Sequence, residues 1–153
     1  MATPLSYDVA AFNALQKLVG TQPRRFSLNM AVCSDASLRA TLAQQLMAAW
    51  SNIEVVSFWP YSEDVFEHVH ETLDEGPRDA IFIYGLDDAV ASSADPVSLY
   101  HKLNVSPERW KAWFACPIIF WVDKPSEETL RDEAKDFWEW LTGHFRLDKV
   151  PEL

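Results

Sequence analysis

The chain has 153 residues, with 23 acidic and 13 basic side chains, so its formal net charge is -10 at pH 7. Nucleic acids and anionic membrane surfaces are recognised by clustered Lys and Arg, and this acidic balance argues against both as partners. The length fits a single domain, 1–153, that buries roughly two-thirds of the surface exposed by its unfolded chain.

The sequence also predicts a cytoplasmic protein. Residues 1–8 lack a basic segment followed by an apolar core, and no apolar run approaches the roughly 20 residues that span a bilayer. Cys33 and Cys116 both lie in apolar runs, so we expect buried, reduced thiols rather than a disulfide.

The first half of the chain alternates helical and strand patterns. In the first helix, apolar residues recur every three or four positions, and Gly20 follows where a helix commonly stops. Apolar runs bounded by turn residues predict strands. In chain order, the predicted elements are a helix at 7–19, a strand at 26–33, a helix at 36–50, a strand at 53–59 and a helix at 62–75.

The second half contains the most apolar strand. Residues 118–122 (Ile-Ile-Phe-Trp-Val) do not alternate with polar residues, which is typical of a strand buried on both faces of a parallel sheet. Gly143 is expected to end the last helix. The remaining predicted elements are a strand at 79–84, a polar loop from Gly85 through Asp88, helices at 96–101, 106–114 and 127–141, and an edge strand at 144–147.

Strands that alternate with helices in this way predict an α/β fold. We expect a three-layer sandwich with a mostly parallel five-stranded sheet, formed by an N-terminal helix at 7–19 and a core at 26–147. Ligands of such domains bind beyond the carboxyl ends of the strands. The turns at that edge are residues 33–37, 60–62, 85–88 and 123–126.

The turn after the first strand lacks the residues that bind phosphate. A phosphate loop needs glycines, which let backbone N–H groups approach the anion, and a lysine. Residues 33–39 contain neither. We expect a short turn in which Ser34 or Asp35 accepts N–H groups of the first helical turn, without Arg39 reaching into it.

Carboxylates follow the third and fourth strands. Asp87 and Asp88 come after one strand and Asp123 after the other, where they could face a ligand crevice. Acidic residues also commonly cap helices and close turns, so both interpretations stay open. The alternative to a non-catalytic domain is therefore a nucleotide or small-ligand site that uses Ser34, Ser37, Arg39, Asp87, Asp88 and Asp123.

No motif for catalysis or metal binding is visible in the sequence. His68 and His70 are two positions apart on a predicted helix and face different directions, and no Cys or spaced His completes a metal set. A serine nucleophile would need a Gly-x-Ser-x-Gly turn, which the sequence lacks. We expect a non-catalytic chain without a metal or cofactor.

Tryptophans are the candidates for protein contacts. The chain has seven, and aromatic enrichment serves cores first and interfaces second. The tryptophans include two pairs whose members are two or three positions apart on a predicted helix. Both members of a pair can pack against one core only if that core is curved. The candidate surface anchors are Trp110, Trp113, Trp138 and Trp140.

The last third of the chain combines an apolar strand that ends near a tryptophan, a helix with an Asp-Phe-Trp-x-Trp motif, and a short final strand. This pattern resembles the nucleotide-binding core of bacterial STAND-type P-loop ATPases, in a branch with degenerate phosphate loops, over about residues 26–147. The residues that carry the resemblance are Gly85-Leu86, Leu103-Asn104, Arg109, Pro117-Ile-Ile-Phe-Trp121, Asp136-Phe-Trp-Glu-Trp140 and Gly143-His-Phe145.

The resemblance implies a sheet order of 5-1-4-3-2, which places the strand at 118–122 between the first and third strands. It also implies a regulatory or scaffold domain of bacterial signalling or conflict systems, since such relatives act as switches joined to effectors. The partner would be an unidentified protein. The glycines and lysine missing from residues 33–39 imply an inactive member.

Overall fold

A five-stranded parallel sheet forms the middle layer of the molecule. The structure, a computed structural model, describes residues 7–21, 25–57, 64–73, 76–92, 96–105 and 107–148. The strands are β1 (Ser27–Val32), β2 (Ile53–Ser57), β3 (Ala80–Tyr84), β4 (Pro117–Val122) and β5 (Leu141–Arg146). They pair in parallel in the order β2-β3-β4-β1-β5, which is the predicted order read from the other edge. The predicted fold class is confirmed.

Helices cover both faces of the sheet, but unequally. Helices α1 (Val9–Gly20) and α2 (Ala36–Ala49) pack on one face. From β1 to β2 the chain moves toward one edge of the sheet, and from β2 onward successive strands are placed toward the other edge. Because the crossovers are right-handed, this change places the later helices on the other face. They are α3 (Val65–Thr72), α4 (Leu86–Ser92), α5 (Pro96–Val105), α6 (Pro107–Trp113), α7 (Lys124–Glu133) and α8 (Lys135–Trp140). Within the ranges above, none of these helices has the combined length and hydropathy of a membrane span.

Strand β4 lies at the centre of the sheet, between β1 and β3, and all six of its residues are buried. Ile118, Phe120 and Val122 belong to the core under the six-helix layer. Ile119 and Trp121 belong to the core under α1 and α2. The prediction that this strand is buried on both faces is confirmed.

The prediction of a polar loop after β3 is wrong, because helix α4 begins at Leu86. Gly85 makes the turn with a φ of 94°, a conformation that glycine adopts without strain. Leu86 and Ala89 lie one helical turn apart and are buried against the core. Asp87 and Asp88 lie in the first turn, where the helix dipole favours carboxylates.

The predicted helix at 127–141 is two helices. The chain leaves helical geometry at Ala134, which is buried between α7 and α8 with φ -118° and ψ 63°. Strand β5 then begins directly after Trp140. Gly143 therefore lies inside a strand, and its predicted role as a helix stop is wrong.

Gly143 is needed because β5 packs against a buried amide. Asn29 of β1 is fully buried, and its Nδ2 donates to Ser27 Oγ at 2.9 Å and to the carbonyl of Ile118 at 3.2 Å. A Cβ at position 143 would lie 2.6 Å from Asn29 Oδ1 and 2.5 Å from the ring of Phe145. No side chain fits in that space unless Asn29 and Phe145 move.

Cys33 and Cys116 are buried free thiols, as predicted. Burial raises the pKa of Cys33 to about 11, and the nearby carboxylate of Asp148 adds to the rise. The thiolate is the reactive form of cysteine. Cys33 therefore stays protonated near neutral pH and is chemically inert.

Trp110 is a core residue, so the prediction that it anchors a surface contact is wrong. Its side chain is fully buried and contacts the rings of Phe66, Phe114 and Phe120 at centroid distances of 5.2, 5.9 and 5.7 Å. The side of α6 that carries Trp110 faces the sheet, and the indole fills the space between α3 and β4.

Replacing this indole should strongly destabilise the fold. We expect Trp110→Ala to lower the free energy of unfolding by about 3 to 5 kcal/mol, because it leaves a cavity that the neighbouring rings cannot fill. Trp140, which is 39% exposed, provides the matched control, and Trp140→Ala should cost clearly less because it leaves no enclosed cavity. Urea denaturation monitored by circular dichroism compares the two, and equal losses would contradict this packing.

Candidate functional site

The carboxyl edge of the sheet brings the turns after β1, β3, β4 and β5 together. At the turn after β1, the side chain of Asp35 caps α2 by accepting the N–H of Leu38 at 2.9 Å. The predicted cap by Asp35 is confirmed. Asp123 does the same for α7 and accepts the N–H of Ser126 at 2.9 Å. Both aspartates therefore serve helix ends.

Asp148, which follows β5, supplies a carboxylate to the turn after β1. Its two oxygens accept the backbone N–H of Ser34 at 2.9 and 3.0 Å. The hydroxyl of Ser34 accepts the N–H of Lys124, which opens α7, at 3.1 Å. The N–H that would approach a phosphate in a phosphate loop is thus occupied by the protein's own anion.

Arg39 reaches back from α2 to the same turn, which contradicts the expectation that no basic side chain does so. Its Nε and Nη2 donate to the carbonyl of Cys33 at 3.2 and 2.8 Å. Nη2 also donates to Asp87 Oδ2 at 3.0 Å, and both side chains are largely buried. The guanidinium closes the end of β1 and is neutralised by Asp87.

The other residues of the predicted ligand set are peripheral. Ser37 and Asp88 are exposed, and the carbonyl of Ser37 accepts the hydroxyl of Thr41 at 3.0 Å. The structure therefore brings Ser34, Arg39 and Asp87 to one edge and assigns Asp123 to a helix cap. Residues 60–62, also predicted at this edge, lie outside the described residues. In the described part of the chain, no three His, Cys, Asp or Glu side chains are grouped as metal ligands would be.

A shallow groove of about 250 Å³ lies beside α2 and was not predicted from the sequence. Its inner wall is Tyr84, whose ring stacks on buried Trp121 at a centroid distance of 6.1 Å. Burial raises the pKa of Tyr84 to about 12, so its hydroxyl stays protonated. The lining residues are Ala36, Arg39, Ala40, Ala43, Gln44, Met47 and Tyr84.

The three tryptophans that remain candidates for contacts do not form one patch. Trp113 is half-buried against His70 of α3, at a centroid distance of 4.2 Å. Trp138 is half-buried against His144 of β5 at 4.6 Å. Helix α3 lies beside β2, since a ring nitrogen of His68 lies 3.0 Å from the carbonyl of Ser57, whereas β5 is the opposite edge strand.

Trp140 is the exposed member of the set, near the β5 edge. It is 39% exposed at the end of α8, two residues after Trp138. At the far end of β5, Arg146 Nε lies 2.9 Å from the buried carboxylate of Glu127. The α8–β5 edge, defined as Trp138, Trp140, His144 and Arg146, therefore combines aromatic rings with a cation.

Comparison of the chain with known protein families found no match, and comparison with curated proteins found no similar sequence. The function is therefore inferred from the geometry described above.

His144 should make stability depend on pH. Burial lowers the pKa of its imidazole from the usual 6.5; Arg146 lowers it further, while Glu127 opposes the shift. The unfolded chain then takes up a proton at a higher pH than the folded chain. The contribution of His144 to stability is therefore complete above pH 6.5 and is lost as the pH falls below 6.5 through the lowered pKa of the folded chain.

We therefore expect His144→Gln to weaken the loss of stability between about pH 7 and pH 5. Denaturant unfolding across that range measures the effect as a difference from the unmodified chain. His101, which is exposed on α5, provides the control. If His101→Gln and His144→Gln changed the pH dependence equally, the environment assigned to His144 would be wrong.

Proposed function

We propose that this chain is a non-catalytic, P-loop-like domain that acts in the cytoplasm as a protein-binding or regulatory module. The observation that carries the proposal is the closed turn after β1. Asp148 occupies the N–H of Ser34, Asp35 caps α2, and Arg39 is held by Asp87. A phosphate would have to displace two of the protein's own carboxylates to bind there.

The charge of this edge supports the same proposal. In a nucleotide-binding loop, several free N–H groups and a lysine offset the charge of the phosphates. Here Asp35, Asp87, Asp123 and Asp148 outnumber the two cations at the turn, Arg39, which is bonded to Asp87, and Lys124, whose backbone N–H is bonded to Ser34. An incoming polyphosphate would meet repulsion, and its affinity would be low.

The α8–β5 edge is the surface that suits a protein partner. Tryptophan and arginine are the residues that most often dominate the binding energy of protein interfaces. Trp138 is held by the ring of His144, so little side-chain entropy would be lost when a partner covers it. Trp140 lies two residues further along α8, points in a different direction and is available for contact.

The bacterial signalling or conflict setting is supported by the resemblance to STAND-type cores. Its most specific motif, residues 136–140, lies on α8, and the matching residues 143–145 lie on β5. The proposed partner surface therefore coincides with the part of the chain that carries the resemblance.

Nucleotides should not stabilise the protein. If ATP or GTP bound with micromolar affinity, a millimolar concentration with Mg²⁺ would raise the free energy of unfolding by about 4 kcal/mol. We expect no change in the melting temperature in a thermal-shift experiment, with Mg²⁺ alone as the control. A rise with either nucleotide would contradict the proposed closed turn.

Partner binding should depend on Trp140. Affinity capture from bacterial lysate with the tagged chain should recover a protein that Trp140→Ala does not recover, since loss of a central interface tryptophan costs about 2 kcal/mol or more, roughly a thirtyfold drop in affinity. Val97, which is 75% exposed on α5, provides the control, and Val97→Ala should leave capture unchanged. Equal recovery with Trp140→Ala would reject this surface.

A further inference from the structure

The two helical layers differ in charge. Helices α1 and α2 contain no carboxylate, and their charged residues are Lys17 and Arg39. Every described helix of the opposite layer except α5 contains Asp or Glu. In a chain with a net charge of -10, the acidic side chains of the helices are thus concentrated on one side of the sheet.

The outward side of α2 carries no unpaired charge. Its single charged residue, Arg39, is bonded to Asp87 and to the end of β1. The side chains that α2 exposes to solvent are small or neutral: Ala36, Ser37, Ala40, Thr41, Gln44, Gln45, Ala48 and Ala49.

Apolar surface continues from α2 onto the sheet. The groove beside the helix is lined mainly by alanines, Met47 and Tyr84. Val55 of β2, paired with Phe82 on this side of the sheet, is 45% exposed. We call the exposed residues of α2, this groove and Val55 the α2 face. Burial of such a surface against a partner would be favourable.

We propose that the α2 face binds a second copy of this chain and forms a two-fold symmetric dimer. A two-fold interface places a surface against itself, so residue i of one copy meets residue j of the other and j meets i. A face with charges of one sign would repel its copy, whereas a hydroxyl or a carboxamide is both donor and acceptor and can pair with any group of the same kind. The polar side chains that α2 exposes, Ser37, Thr41, Gln44 and Gln45, are all of this kind.

The spacing of the small residues suits an antiparallel pair of α2 helices. Ala36, Ala40, Gln44 and Ala48 form one row at four-residue intervals. Antiparallel pairing about the middle of this row sets Ala36 of one copy opposite Ala48 of the other. It sets Ala40 opposite Gln44, where the longer side chain lies over the smaller one. Small residues let the two helix axes approach closely.

Electrostatics favour this face over the acidic layer for self-association. Two chains of charge -10 repel each other, and contact through the acidic layer would bring carboxylates together. Contact through α2 keeps those helices on the outside of the dimer. Because salt screens the remaining repulsion, the dimer should become tighter as ionic strength rises, whereas a contact between opposite charges would weaken.

Analytical ultracentrifugation of the full chain tests the proposal. We expect a concentration-dependent species of twice the chain mass whose dissociation constant falls between about 0.05 and 0.5 M NaCl. Gln44→Glu keeps the shape of the side chain and adds like charges across the interface, so it should weaken the dimer more than roughly tenfold. Ala40→Glu, a second substitution by a good helix former, should do the same.

The matched control is Ala112→Glu, which places the same new charge on an exposed alanine of α6 in the acidic layer. It should leave the dimer intact, and circular dichroism should show a native spectrum for all three variants. A monomer at both salt concentrations would overturn the proposal, as would a dimer that Gln44→Glu and Ala40→Glu leave unchanged or that Ala112→Glu also dissociates.

The proposed dimer does not depend on the proposed function, and a different experimental result would contradict each of them. Trp140 lies on the opposite layer, so Trp140→Ala should keep the dimer even where it abolishes partner capture. A monomeric chain that still captures a protein through Trp140 would overturn the dimer alone. A dimer without partner capture would support the dimer and count against the proposed function.

Discussion

The burial of β4 on both faces is the constraint on which the rest of the fold depends. A central strand with apolar side chains above and below it must be covered by two helical layers. The handedness of the crossovers then assigns six helices to one face and leaves α1 and α2 for the other. The thinner layer does not reach fully across β2, which leaves Val55 partly in solvent.

The same parallel arrangement decides the chemistry of the carboxyl edge. It gathers the helix N-termini there, and each needs an acceptor for its free N–H groups. In nucleotide-binding proteins of this architecture the ligand supplies some of these acceptors. Here Asp35 and Asp123 supply acceptors from within the chain, and Asp148 accepts the N–H of Ser34 just before α2. Stability and phosphate binding compete for the same backbone groups.

The layers followed from patterns that depend on burial, whereas the strand order was implied by the resemblance to STAND-type cores. Continuous apolar runs identified β1, β3 and β4, and their alternation with helices implied the parallel sheet. Boundaries were harder, because α4 is defined by buried Leu86 and Ala89 within a polar stretch. The break between α7 and α8 also falls at an alanine, Ala134, which by itself favours helix. Tertiary packing therefore ends α7 there, and the local sequence does not indicate it.

Much less of the candidate site followed from the sequence. The capped turn at Asp35 could be anticipated, because the residues that cap a helix are close in sequence. The bonds of Asp148 to Ser34 and of Arg39 to Asp87 join residues 114 and 48 positions apart, and no local pattern indicates them. The orientation of Trp110 was also missed, because the rotation of α6 about its axis is set by contacts with α3 and β4.

The close packing of Gly143 on Asn29 limits how the gene can vary. Strand β5 starts directly after α8, so no loop absorbs a change in chain length between them. Insertion or deletion of one codon at this junction would shift the strand by one position, bring a side chain against the buried amide and turn every β5 side chain to the opposite face. Homologous sequences should keep the spacing between α8 and Gly143 fixed, while changes in length collect in the connections elsewhere.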